Sequence, residues 1–304
     1  MKTGNATLLL RGKSGKLKKS NAKNVTLLFA LLILCSGICY GQNTPAEQLT
    51  PVRGHYKQLA ALSPKPRAAY AEMDSKKFPF DSAWAKKVLS IKPYYLTGVS
   101  VDDFKLPDPP ANSSEQTRAE LNYLLALQHN RTPEDIRLSL YMSNSPDSAS
   151  DIGRSLGLWA SPQAMPVTAA FFDKLSLDGD YFLWALKFKY ARVRPYILEP
   201  RLHDLEESLA SSYPSGHVTY AYIKAYIYQE LMPEFAELFI KSAYDMCHAR
   251  QIIGVHYPSD CEGSRIFARQ LVNMLFKNEK FRGDFENVKK EWALKAAENF
   301  NYNK

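Results

Sequence analysis

After residue 41 the chain has no apolar run long enough to span a membrane, which argues against a protein held by several spanning helices. It also lacks internal repeats, low-complexity tracts and any series of strand-like alternating segments, so solenoids and all-β folds are excluded. A real surplus of positive charge is missing too. The formal +8 comes from 39 Lys and Arg against 31 Asp and Glu, but Lys2, Arg11, Lys13, Lys16, Lys18, Lys19 and Lys23 stand in the first 41 residues, which contain no acid. The remainder holds 32 basic and 31 acidic residues, and nothing in it asks for nucleic acid. Cysteine is scarce: Cys35 and Cys39 sit in the N-terminal stretch, leaving Cys247 and Cys261. These two are read either as buried thiols or, in an exported protein, as a bridge, since sequence does not fix their separation.

What the first 41 residues do have is a basic start, an apolar run from Val25 to Leu34 and the small-residue pattern Cys39-Tyr40-Gly41. This is the layout of a secretory signal peptide with a long charged region, an uncleaved anchor being the alternative. Residues 42–104 follow as a helical N-terminal extension, with helices expected over Val52 to Leu62, Pro66 to Met73 and Asp81 to Leu89 between Pro-containing turns. Residues 105–304 form the main domain. Its length and 45% apolar composition suffice for one sizeable core.

Within that domain helix signals succeed one another. Asn112 to Glu115 reads as a capping box, and Thr132 with Pro133 and Asp135 as a second helix start. Pro162 to Tyr190 is long and apolar, and Asp178-Gly179 is expected to split it in two. Val218 to Leu231 alternates Tyr and Ile with Ala, yet its length favours a helix whose tyrosines are core; further helices are expected from Glu234, around Phe267 to Leu275, and over Lys280 to Phe300. The fold class is therefore an all-α, single-domain helical bundle.

Three segments carry chemistry. In Arg250-x5-His256-x3-Asp260, arginine offers a planar fork of donors to phosphoryl oxygens, and a helix opened by Pro258 would set His256 and Asp260 about one turn apart. The carboxylate would then hold the Nδ1 proton and leave Nε2 free as nucleophile or base; a buried capping pair or an i,i+4 metal pair are the alternatives. Lys187 and Arg194 are seven residues apart, close to two turns, and are expected on one helix face before Pro195. Pro214-Ser215-Gly216-His217 places a glycine where backbone can approach a ligand, at a helix N-terminus that attracts anions. Arg131 is read as capping or solvated, and His55, His129, His203 and His248 as surface or core.

In that order, Lys187-x6-Arg194-Pro195, Pro214-Ser215-Gly216-His217 and Arg250-x5-His256-x3-Asp260 resemble the signature of the phosphatidic acid phosphatase type 2 / vanadium haloperoxidase superfamily, and within it the class A bacterial non-specific acid phosphatases. The third segment departs from the usual Ser-Arg by opening with Ala249, which removes a hydroxyl near the phosphate. The resemblance implies a periplasmic or secreted acid phosphatase that hydrolyses small phosphomonoesters through a phosphohistidine. His256 would be the nucleophile, Asp260 would fix its tautomer and His217 would serve as acid and base. Lys187, Arg194, Ser215, Gly216 and Arg250 would bind phosphate. It implies no metal or other cofactor, vanadate as an inhibitor, no nucleic acid partner and no stable membrane insertion after signal cleavage; a homo-oligomer stays open. A vanadate-dependent haloperoxidase, or a lipid phosphate phosphatase held by an uncleaved anchor, are the alternatives.

Overall fold

A computed structural model describes residues 72–144 and 156–300. The leader, the expected helix over Val52 to Leu62, most of that over Pro66 to Met73, and His55 lie outside the described residues.

The helix formed by Gly216–Leu231 buries most of its surface. Val218, Ala221, Tyr222, Ile223, Ala225, Tyr226, Ile227 and Tyr228 are all buried, and a helix apolar over so much of its circumference belongs inside the protein. Before it in the chain come α1 (Ser82–Val88), α2 (Glu115–Asn130), α3 (Pro133–Asn144), α4 (Pro166–Tyr190) and the single turn α5 (Pro195–Leu198). The central helix is α6 (Gly216–Leu231), followed by α7 (Ala236–Ile252), α8 (Pro258–Leu275) and α9 (Glu279–Phe300). No strand occurs among the described residues, so the all-α reading holds. Helices α7 and α8 pack on α6, α3 on α7, and α9 on α4. None of the described helices is long and apolar enough to cross a membrane.

Three local expectations need correction. Helix α4 is not split at Asp178-Gly179 but runs unbroken from Pro166 to Tyr190. The glycine is there for space: a Cβ would lie 2.9 Å from the Tyr220 hydroxyl, which donates to Asp180 at 2.6 Å. The Asp178 carboxylate accepts the backbone N–H groups of Tyr94, Tyr95 and Leu96, so these residues tie an N-terminal segment to the core rather than ending a helix. Helix α2 is capped by Ser114, whose hydroxyl accepts from Thr117 N, while the Asn112 amide binds the carbonyls of Met73 and Lys76. Finally, Lys187 and Arg194 do not share a helix face. Ala191 adopts a left-handed conformation (φ 47°) that ends α4, and Arg194 precedes the separate turn α5.

Three further readings can be followed in the described residues. Trp184 and Phe188 on α4 pack against Trp84 and Phe80, docking α1. Arg131 bonds the carbonyls of Ile252 and His203. Cys247 and Cys261 are free, buried thiols, and of the two readings the structure adopts the first.

Gly263 on α8 allows Tyr213 to lie against that helix, since a Cβ there would stand 2.3 Å from the Tyr213 ring. The ring cannot move aside: Tyr213 is buried, donates to Pro107 O at 2.7 Å and meets Tyr190 edge-on at 4.9 Å. We expect Gly263→Ala to destabilise the fold by roughly 1–3 kcal/mol through overpacking and to lower activity by displacing Ser212 and Ser215 on either side. An unchanged denaturation midpoint would show that α8 can yield.

Candidate active site

Each predicted residue reaches the site by a different local device. Lys187 comes from the last turn of α4, and the left-handed Ala191 then turns the chain so that Arg192 and Arg194 follow outside the helix, Arg194 in extended backbone. Ser215 stands at the N-cap position of α6 without a side-chain cap bond, Gly216 is the first residue of the helix and His217 its second. Arg250 lies in the last turn of α7. Gly254 at φ 87°, a conformation that favours glycine, reverses the chain toward His256. Pro258 opens α8, as its sequence suggested, and brings Asp260 into the first turn.

Asp260 is fully buried and saturated with donors. Its Oδ2 accepts from Tyr257 N at 2.9 Å, His256 Nδ1 at 3.2 Å and the Ser212 hydroxyl, while Oδ1 accepts from Arg192 Nη1 at 2.7 Å. Burial works against the carboxylate, but Arg192, His256 and Ser212 outweigh it and hold its pKa well below the usual range. Because Nδ1–H is given to Asp260, the neutral His256 ring turns its Nε2 lone pair toward Arg194, whose Nη1 donates to it at 2.8 Å. Burial first, and Arg194 second, push the His256 pKa well below its ordinary value.

The cations are held by neutral acceptors. Lys187 Nζ donates to Ser211 O at 2.7 Å. Arg194 donates to Ala210 O, Val255 O and the Ser208 hydroxyl. Neither makes an ion pair among the described residues. Burial, reinforced by neighbouring cations, lowers both: Lys187 well below its ordinary pKa and Arg194 to about 10. Arg250 differs, since both oxygens of Glu206 grip its Nη1 and Nη2 at 2.7 and 2.9 Å, with the Ser143 hydroxyl also on Nη1 at 2.7 Å. His217 Nε2 donates to the Ser143 carbonyl at 3.1 Å, leaving Nδ1 as its exchangeable nitrogen. Its pKa is lowered to about 4 by burial and then by Arg250, with Glu206 opposing. Ser264 joins the two helix starts, its hydroxyl meeting Ser215 O at 3.0 Å and Asp260 O at 2.7 Å.

Sequence reasoning missed Arg192, Glu120, Ser212, Glu206 and Ser143. Arg192 stacks 3.8 Å from the Tyr257 ring centroid and pairs with both Asp260 and Glu120, and Glu120 in turn accepts from Ser259 N and its hydroxyl. The signal available was the second arginine in Arg192-Val-Arg194; nothing marked Glu120 or Glu206.

The sequence is 34% identical over 190 residues to an acid phosphatase of Zymomonas mobilis, an alignment covering 60% of this chain and 67% of that one. This chain belongs to the acid phosphatase family. Its membership places it among phosphatase enzymes. A non-specific acid phosphatase of Salmonella typhimurium is 28% identical over 189 residues, covering 58% of this chain and 74% of the relative. One from Providencia stuartii is 32% identical over 120 residues, where the match spans 38% of this chain and about half, 48%, of the relative. No family model matches the sequence. The crystal structure of a transmembrane PAP2-type phosphatidylglycerolphosphate phosphatase from Bacillus subtilis superposes with a TM-score of 0.37 at 18% identity, over 57% of this chain and 87% of that one, a likeness too loose to build on.

His217 and His248, both lowered to about 4 chiefly by burial, and His256, pushed well below its ordinary value by burial and by Arg194, bind fewer protons folded than unfolded in mildly acid solution. A histidine whose folded pKa is depressed stabilises the fold above its unfolded value of about 6.5 and loses that contribution as pH falls toward the folded value. Chemical denaturation should therefore show stability dropping between about pH 6.5 and 4, by up to about 3 kcal/mol for each of the first two histidines. A flat profile across that window would contradict the burial of these rings.

Proposed function

We propose that this acid phosphatase hydrolyses phosphate monoesters through a phosphohistidine formed on His256. The observation that carries this reading is the pair of unpartnered donors at the cationic cluster: the Ser215 hydroxyl and Arg250 Nε are buried with no hydrogen-bond partner among the described residues. Buried polar groups left unsatisfied cost about 1–3 kcal/mol each, and here they accompany Lys187 and Arg194, which carry charge without a carboxylate. A phosphoryl group offers acceptor oxygens and negative charge to both sets at once. Each cation within about 4 Å of it would contribute roughly 4 kcal/mol at an effective dielectric near 20, before desolvation is subtracted.

In the first step the Nε2 lone pair of His256 attacks phosphorus. The N–P bond forms, the P–O ester bond breaks, and the departing oxygen takes the electron pair and a proton from His217 Nδ1. Asp260 keeps Nδ1–H of His256 in place and stabilises the ring as it becomes cationic. The Arg194 N–H now on Nε2 would turn to a phosphoryl oxygen. In the second step a water gives its proton to His217 and attacks phosphorus, the N–P bond breaks, and His256 recovers its lone pair as phosphate leaves. Positioning and charge neutralisation by Lys187, Arg194 and Arg250 carry most of the acceleration. With its pKa lowered to about 4, His217 holds the proton it must donate only in acid solution. Gly216 opens α6 with its N–H toward the N-terminal end, where an anion is favoured; a Cβ there would only touch Leu183 at 3.5 Å, so packing alone does not demand glycine. The basic, acid-free leader adds export to this reading.

Protein recovered from the periplasm or medium, beginning near Gln42, should hydrolyse an aryl phosphate in excess chelator, and orthovanadate should block it by imitating five-coordinate phosphorus. An intact N-terminus confined to the membrane fraction would overturn export. Activity lost to the chelator and restored by a divalent metal would overturn the metal-independent route.

A further inference from the structure

The loop between α5 and α6 serves the site almost entirely through neutral groups: Ser208, Ala210 O and Ser211 O hold the cations, and Ser212 holds Asp260. Glu206 is the exception. Its two oxygens meet Arg250 Nη1 and Nη2 at 2.7 and 2.9 Å, the two-point grip that a phosphate itself would take. It is not a loosely hung side chain. Leu205 N donates to Ile253 O at 3.0 Å, and the backbone of Asp204 passes within 3.6 Å of where a Cβ on Gly254 would be, so the segment is seated on the turn between α7 and α8. The charged and titratable groups facing the carboxylate are Arg250, Arg194 and His217. Burial raises its pKa, but these three together lower it, so it stays ionised.

The donors of Arg250 are divided accordingly. Nη1 is used up by Ser143 and Glu206, and Nη2 gives one N–H to Glu206. The buried Nε–H is unpartnered, and with the second N–H of Nη2 it forms the other edge of the guanidinium. A phosphate taking that edge shares one cation with a carboxylate that is fixed opposite it. We propose that Glu206 sets the affinity of the site for phosphate: it shares Arg250 with the bound anion, weakens the hold of three buried cations and so speeds release of the inorganic phosphate product. This rests on the phosphatase reading and adds to it the residue that limits product retention. In a hydrolase the cations that stabilise the transition state also grip the product, and a fixed counter-charge beside one of them loosens that grip.

The test compares wild type with Glu206→Gln, whose amide oxygen still accepts one N–H of Arg250, and Glu206→Ala. Inorganic phosphate is the probe, its affinity read both by calorimetric titration and as a competitive inhibitor of aryl phosphate hydrolysis. Removing the charge should tighten phosphate binding about tenfold in Glu206→Gln, with a matching fall in the inhibition constant. A residue that merely orients Arg250 would give the opposite sign, so weaker or unchanged binding in Glu206→Gln would overturn the proposal. Should Glu206→Ala fail to fold, the glutamine variant decides alone. Wild type that binds phosphate yet hydrolyses no ester would remove the phosphatase reading while leaving the affinity comparison intact. Wild type that hydrolyses, with no gain in affinity in the variant, would remove only the role of Glu206.

Discussion

One buried carboxylate, Asp260, organises the site. Taking it out of water is costly, and the cost is met by four donors from three separate parts of the chain: Arg192 beyond the end of α4, Ser212 before α6, and His256 with Tyr257 N beside it at the start of α8. Removing any donor leaves charge buried without compensation, a defect worth about 3–5 kcal/mol when an ion pair is broken. The geometry of catalysis and the integrity of the core are therefore coupled at this point. Ser264 extends the same knot by tying the carbonyl of Asp260 to that of Ser215, which fixes the start of α6 relative to the start of α8.

Charge is distributed so that Lys187 and Arg194 stand without a carboxylate while the charges behind them are paired. Arg192 is matched by Asp260 and Glu120, whereas Lys187 and Arg194 rest on carbonyls and hydroxyls. Neutral acceptors orient a cation without cancelling it. The consequence appears in the depressed pKa of Lys187, Arg194 and His256, all driven first by burial and then by like charge. A bound dianion would relieve that repulsion.

Much of this was legible in the sequence, and the misses share a cause. The interval from His256 to Asp260 spans a helix start marked by Pro258, so local rules sufficed. The α6 helix followed from its length, and its buried tyrosines match the core role read for them. Between Lys187 and Arg194 the same helical arithmetic failed, because Ala191 takes a left-handed conformation that propensity does not announce in a non-glycine residue. At Gly179 the sequence signal of a break was in fact a tertiary one, space for Tyr220 across the core. Glu120, Ser143 and Glu206 contact the site from elements 44 to 139 residues away in sequence, and no local pattern encodes such distance.

The central claim is that His256 becomes covalently phosphorylated while His217 handles protons. Its most direct measurement is rapid alkaline quenching during turnover of a labelled aryl phosphate, conditions under which an N–P bond survives. His217→Ala can still form the intermediate from a substrate whose phenolate leaves unaided but cannot activate water to clear it, so label should accumulate on His256 in that variant and be absent from His256→Ala. Label that persists in His256→Ala and never forms in His217→Ala would contradict the assignment and exchange the two roles.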